Sequence, residues 1–132
     1  TKTIPQGLSA CVMYNPEVSL EDNIAEMEDA VANVKTGQVT FAIKDTNIDG
    51  VEIKANDYMA LVEKDIVACK PNKLDALKLV DEDSELITLL VGEDVVDEEV
   101  EEIESYIEDN FDAEVDIIEG KQPVYSFIIG VE

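Results

Sequence analysis

Between Leu86 and Val131 the apolar residues change period twice, and few folds tolerate that pattern. Leu86 to Val91 is an almost unbroken apolar run of strand length. Val100, Ile103 and Ile107 then recur at spacings of three and four, the period of a helix with one buried side. Val115, Ile117 and Ile118 sit in a short polar-apolar segment, and Val124 to Val131 is apolar again. The spacing predicts a strand over Glu85–Val91, a helix from about Asp97 to Asn110, a strand over Glu114–Ile118, a turn at Glu119–Lys121 and a strand over Val124–Val131. This is a β-α-β-β unit. Asp97 is placed as the N-cap, with Glu98 and Glu99 at the positive end of the helix dipole.

The same stretch is an acid block. From Asp81 to Glu132 there are nineteen Asp and Glu against one base, Lys121, so about −18 of the net −23 lies there. An ordinary apolar fraction argues for a folded domain and against an acidic disordered tail. A folded surface of one sign repels itself, and it also disfavours nucleic acid and anionic membranes, which are polyanions. The counterpart expected is a basic protein or metal cations. No apolar run approaches the ~20 residues needed to span a bilayer, and no N-terminal stretch reads as a signal peptide. Cys11 and Cys69 lie in apolar segments and read as buried free thiols of a reducing compartment, so a cytoplasmic location is expected.

The chain has no His and no Trp, and all nine of its bases are lysines. Without His the usual general base near neutral pH is missing, and Ser-His-Asp or Cys-His hydrolysis is excluded. Without Arg the bidentate clamp for phosphate or carboxylate is missing. No GxGxxG or GxxxxGK[ST] occurs, and Gly92-Glu93-Asp94 would repel phosphate. No catalytic residue is therefore assigned. Thr1-Lys2-Thr3 reads as the end of a strand, so a fragment of a larger protein is expected, forming one domain over 1–132.

The first eighty residues predict the rest of the layout. Ile4 to Tyr14 is a short apolar segment with Pro5 suited to a first helical turn. Ser19 caps a helix whose stripe is Leu20, Ile24, Met27, Val31 and Val34, closed by Thr36-Gly37. Val39, Phe41 and Ile43 alternate as a half-buried strand. Val51–Lys54, Tyr58–Glu63 and Ile66–Lys70 follow as strands of an antiparallel four-strand meander, with a tight turn at Lys64-Asp65. Lys73 to Val80 reads as a helix and Asp81 to Ser84 as a loop. Tyr14, Tyr58, Tyr106 and Tyr125 are taken as part-buried. The fold class expected is α+β, a mixed sheet with helices packed on it.

Two constellations could carry chemistry. Asp45-Thr46-Asn47-Ile48-Asp49-Gly50 matches the opening of a calcium loop, but Asn56 stands where its bidentate Glu is needed and the flanks are strands. A hairpin turn is the plainer reading. On the acidic helix, Val96, Val100, Ile103, Ile107 and Phe111 share one side; Glu98, Glu102, Ser105 and Asp109 centre the other, with Glu101 and Glu108 beside them. Like charges at i and i+4 cost a few tenths of a kcal/mol each, and no lysine relieves them. The acids assigned to a partner-binding surface are Glu93, Asp94, Glu98, Glu101, Glu102 and Asp109.

Thr1-Lys2-Thr3-Ile4-Pro5-Gln6-Gly7-Leu8, Asn33 to Thr40, Asp49 to Lys54, Leu86 to Val95 and Gly120 to Glu132 resemble, in this order, the C-terminal region of bacterial fatty acid kinase catalytic subunits, whose N-terminal domain is dihydroxyacetone-kinase-like. The resemblance implies an ATP- and magnesium-binding kinase domain and a middle domain elsewhere in the parent, none of whose catalytic residues are in this chain. It implies a separate fatty-acid-binding protein as partner, which presents an acyl carboxylate for phosphorylation, feeding phospholipid synthesis. It further implies one lobe of the fold that this acyl-binding protein shares with dihydroxyacetone kinase, with the other lobe upstream of Thr1. The family pattern has Gly-Gly-Gln-Pro where this chain has Gly120-Lys121-Gln122-Pro123, Ser where Gly130 stands, and a longer helix between Lys70 and Glu85, so residues are expected to be missing near Lys78-Leu79. A non-catalytic docking domain is thus the leading reading. A fatty-acid-binding lobe in its own right is the alternative, and a phosphotransferase a third. The hairpin reading of Asp45–Gly50 predicts a thermal melting curve that millimolar calcium leaves unchanged; a rise in Tm would restore the calcium loop.

Overall fold

The structure is a computed structural model that describes residues 1–77 and 85–132. The chain opens with α1 (Ile4–Met13) and α2 (Leu20–Asn33). Thr1-Lys2-Thr3 forms no strand. Thr3 is instead the N-cap of α1: its hydroxyl accepts from the Gln6 N–H at 3.3 Å, and the Gln6 side chain accepts from the Thr3 N–H at 3.3 Å. This reciprocal pairing satisfies two of the donors a helix start leaves open. Ser19 caps α2 as expected, accepting from Asp22 N–H at 3.1 Å. Between the helices, buried Asn23 both accepts from the Asn15 N–H and donates to the Asn15 carbonyl, each at 2.8 Å.

Helix α2 ends three residues before Thr36-Gly37, which belong to β1 (Lys35–Phe41). After it come β2 (Thr46–Ile48), β3 (Val51–Ile53), β4 (Tyr58–Val62), β5 (Asp65–Lys70) and α3 (Lys73–Leu77). The expected four-strand meander does not form. Only β1, β4 and β5 run on in one sheet; β3 pairs with β2 as a separate two-stranded ribbon. The cause is Asp49-Gly50. Both residues have positive φ, +51° and +84°, the geometry of a two-residue hairpin whose twist suits tight strands. The half calcium motif is thus a hairpin, and its Asp45 carboxylate accepts from the Ala55 N–H at 2.7 Å. A second such turn joins β4 to β5 at Glu63-Lys64, one residue earlier than expected (φ +50° and +80°).

The C-terminal unit follows as β6 (Leu86–Val91), α4 (Asp97–Asn110), β7 (Glu114–Glu119) and β8 (Tyr125–Val131). The expected β-α-β-β order holds, with β6 and β7 parallel. Helix Lys73–Val80 is described only to Leu77; the loop Asp81–Ser84 and the Lys78-Leu79 position lie outside the described residues. Among the described residues one sheet has the order β5-β4-β1-β8-β6-β7. Its core face carries Val39, Ala60, Leu89, Phe127, Ile129 and Val131, closed by α3 (Leu74, Leu77) and α4 (Ile103, Ile107). The fold is α+β, a mixed sheet with helices packed on it.

Helices α1 and α2 sit on the opposite face. Ile129 and Val131 point into the core, so the intervening Gly130 faces away from it. A Cβ there would lie 2.6 Å from Pro5 Cβ, so glycine is what lets α1 seat on β8. The hydroxyls of Thr3 and Thr36 meet at 2.9 Å, and Ser9 donates to the Glu132 carboxylate.

Several burial expectations fail for one reason: the covering layer stops short of them. In the α2 stripe only Val34 is buried, Met27 and Val31 are half-buried, and Leu20 and Ile24 are exposed, because α2 packs on α1. Phe41 lies at the sheet end against Tyr58, ring centroids 5.6 Å apart, and Ile43 is past the strand and exposed. Tyr14 and Cys11 are exposed and Cys69 is half-buried, with both thiols free.

Lys121, the residue before Gln122-Pro123, has φ +52°. Its backbone N–H bonds to Val91 O at 2.9 Å, which any residue can do. Its ammonium is 4.0 Å from Glu119 on an exposed surface, a pair worth little. The left-handed backbone costs a non-glycine residue about 1 kcal/mol, so Lys121→Gly is expected to raise stability by about that amount in urea unfolding. An unchanged or lower midpoint would show the turn to be unstrained.

Candidate docking interface

Helix α4 is held from its inner side. Ile103 and Ile107 are buried in the core, Val100 is half-buried, and Tyr106 meets Phe111 edge-on at 6.2 Å. Val96, not Asp97, is the N-cap, and Val96 is exposed rather than part of the inner stripe. Valine has no oxygen to cap with. The reciprocal half of a capping box is present alone: the Glu99 carboxylate accepts from the Val96 N–H at 3.1 Å.

A buried lysine secures this end of the helix. Lys73, at the start of α3, is only 9% exposed. Its ammonium donates to the Asp94 carbonyl at 2.9 Å, pairs with the Glu99 carboxylate at 2.9 Å and lies 3.8 Å from the Asp94 carboxylate. The ring of Tyr58 is 6.0 Å away. The fully buried Ser126 on β8 donates to the same Asp94 carboxylate at 2.6 Å. One cation thus ties α3, the β6–α4 loop and the first turn of α4 together. Its charge is satisfied by three oxygens, which offsets the cost of taking it out of water. Neither Lys73 nor Ser126 stands out in the sequence as a site residue. The available signal was slight: Lys73 follows Pro71-Asn72 at the head of a largely apolar segment that also holds Asp75 and Lys78.

The expected partner-binding acids therefore divide. Asp94 is engaged internally, with about half of its side chain still in solvent. Glu93 is exposed in the same loop, its backbone N–H bonded to Gln122 O at 3.1 Å. Glu98, Glu101, Glu102 and Asp109 are all exposed along α4. At about 100° per residue, Glu98, Glu102 and Asp109 fall within about 40° of one another. Among the described residues no ion pair reaches any of these four. The result is a helix face of negative charge, without an ion pair to any other described residue, on a fixed support. Such a face can attract and orient a cationic surface.

Elsewhere, a groove of about 640 Å³ runs between the α1–α2 hairpin and the outer face of the sheet. Among the described residues no group of three or more acids or cysteines is gathered to hold a metal ion, and no helix is long and apolar enough to cross a membrane.

Lys73→Met keeps the aliphatic stem and deletes the charge. It leaves the Glu99 carboxylate without its cation in a half-buried site, and about 1–3 kcal/mol of stability is expected to go. Adding Glu99→Gln should recover part of that loss. By contrast, Glu98→Gln is expected to change stability by less than about 0.5 kcal/mol, as an exposed substitution does. Chemical denaturation of the four proteins reads all of these; a neutral Lys73→Met would remove the lysine from its anchoring role.

The chain is 42% identical over 137 residues to Protein YloV of Bacillus subtilis, covering 99% of this chain and 25% of that protein. It is 44% identical over 138 residues to an uncharacterized protein of Staphylococcus epidermidis, covering 100% of this chain and 25% of that protein. The chain thus spans about a quarter of the length of the curated relatives it matches. All of it, residues 1–132, matches the FakA-like C-terminal family, that of the C-terminal region of FakA-like fatty acid kinase subunits, and the chain belongs to that family.

Proposed function

We propose that this domain is a non-catalytic docking element of a fatty acid kinase. Its acidic helix face captures a separate fatty-acid-binding protein and brings the bound acyl carboxylate to a kinase domain of the same polypeptide, which phosphorylates it with ATP and magnesium. The setting is the cytoplasm, and the acyl phosphate formed feeds phospholipid synthesis. The observation that supports this reading is the outer face of α4, where Glu98, Glu101, Glu102 and Asp109 are exposed and, among the described residues, have no ion-pair partner. Attraction between such a face and a basic patch raises the association rate and orients the encounter. The family match supplies the lipid-kinase context. The alternative, an acyl-binding lobe, would use the groove beneath the α1–α2 hairpin. Glu26, Asp29, Asp116 and Glu132 line that groove and would repel a fatty acid carboxylate.

The test is a titration of the chain against the fatty-acid-binding protein, before and after Glu98→Lys, Glu101→Lys and Glu102→Lys together. Affinity is expected to fall at least about ten-fold in the triple variant, and to fall for the native chain as salt rises from ~50 to ~500 mM. Unchanged affinity in the variant would move the site off α4. Salt-independent binding would end the electrostatic account.

A further inference from the structure

The α1–α2 hairpin leaves in solvent what a helix pair usually buries. Val12 is 82% exposed, Leu20 70% and Tyr14 58%, and Ile4, Met13 and Ile24 are exposed as well. The hairpin lies across the sheet from α4, as the Gly130–Pro5 approach requires. The groove beneath it has apolar walls from Leu8, Val12 and Met13 of α1 and from Leu86 and Ile118 of β6 and β7. Its charged lining residues are all acids: Glu26 and Asp29 on α2, Asp116 on β7, and Glu132.

The chemistry narrows the occupant. Interfaces that form and dissolve are about as polar overall as the rest of a protein surface, whereas permanent ones are apolar. This face exposes six large apolar side chains beside its acids in a chain of net charge −23, so it suits a permanent neighbour. A second copy would set the same four acids against themselves, with −23 on each chain. A neighbour on the same polypeptide is available in the relatives, since the matched region is 25% of their length.

We propose that the α1–α2 face and its groove form a permanent interface with the remaining part of a longer polypeptide, filled by an apolar segment whose flanks carry lysine or arginine opposite Glu26, Asp29, Asp116 and Glu132. The proposal rests on the chain being the C-terminal part of such a polypeptide, not on capture of the acyl-binding protein. The domain then has two working sides. The sheet separates an apolar side bound for good from an acidic side left for exchange.

Cys11 is a native probe, because it is exposed on α1 and lines the groove; Cys69 on β5 lies outside it and serves as reference. Maleimide labelling is followed at each thiol by mass spectrometry, in the 132-residue chain and in the full-length polypeptide. Cys11 is expected to label at least about ten-fold more slowly in the full-length protein, with Cys69 unchanged, because a stable contact protects in proportion to how seldom it opens. Equal Cys11 rates overturn the proposal. Val12→Asp with Leu20→Asp gives a second arm. These substitutions should leave the Tm of the 132-residue chain unchanged, and in the full-length protein should lower Tm and restore Cys11 labelling. Unfolding of the short chain would place both residues in its own core and refute the interface, as would an unaffected full-length protein. Binding of the acyl-binding protein to α4 is read separately, so either idea can fail alone.

Discussion

Strand β8 is the element on which the other layers depend. It pairs antiparallel with β1 on one side, from Lys35↔Val131 to Thr40↔Tyr125, and with β6 on the other, from Ile87↔Val131 to Val91↔Phe127. Among the described residues the sheet joins its N-terminal strands to its C-terminal strands only here. The two faces of β8 also serve different layers. Phe127, Ile129 and Val131 enter the core under α3 and α4, while Gly130 admits Pro5 and with it α1. Ser126 adds a polar tie to the loop before α4. A strand this thoroughly used has little freedom to shift register, because a one-residue slip would exchange its two faces.

The charge distribution follows from that layering. Folding places apolar residues of α4 against β8 and its neighbours, which turns the acids of the same helix outward. Helix packing supports this arrangement while the acids oppose one another along it. Lys73 relieves the repulsion at one end only, by drawing Glu99 and Asp94 inward. Beyond the first turn nothing comparable occurs among the described residues, so the negative potential concentrates along the exposed length of the helix.

Much of this was legible in the residues. The β-α-β-β unit could be read because each of its elements has a strong apolar period and a clear break, and α4 spans Asp97–Asn110 as the spacing predicts. The acid face was legible for the same reason, since the inner stripe defines its opposite. Other features needed partners that a sequence does not show. Val51–Ile53 has a strand's composition, but whether it joined the main sheet depended on positive φ at Asp49-Gly50 and on the ribbon it makes with Thr46–Ile48. The α2 stripe has perfect helical spacing, yet Leu20 and Ile24 remain exposed because amphipathicity says that a side should be covered, not by what. Lys73 carried no periodic signal, and its role emerges only once three separated segments converge on its ammonium.

The placement of β8 at the centre of the sheet, although it is the last strand along the sequence, has a consequence for synthesis. Strands β1, β4 and β5 can pair as soon as they emerge, and the β6-α4-β7 unit can form locally. Neither can bury its inner edge until residues 125–131 have been made. During translation the two halves wait with open strand edges, the condition that invites mispairing with other chains. The acid-rich span between Asp81 and Glu119 leaves the ribosome before β8 does. Its mutual repulsion would keep nascent copies apart during that interval, so the acids that the finished fold turns outward on α4 would also guard the chain while it is being built.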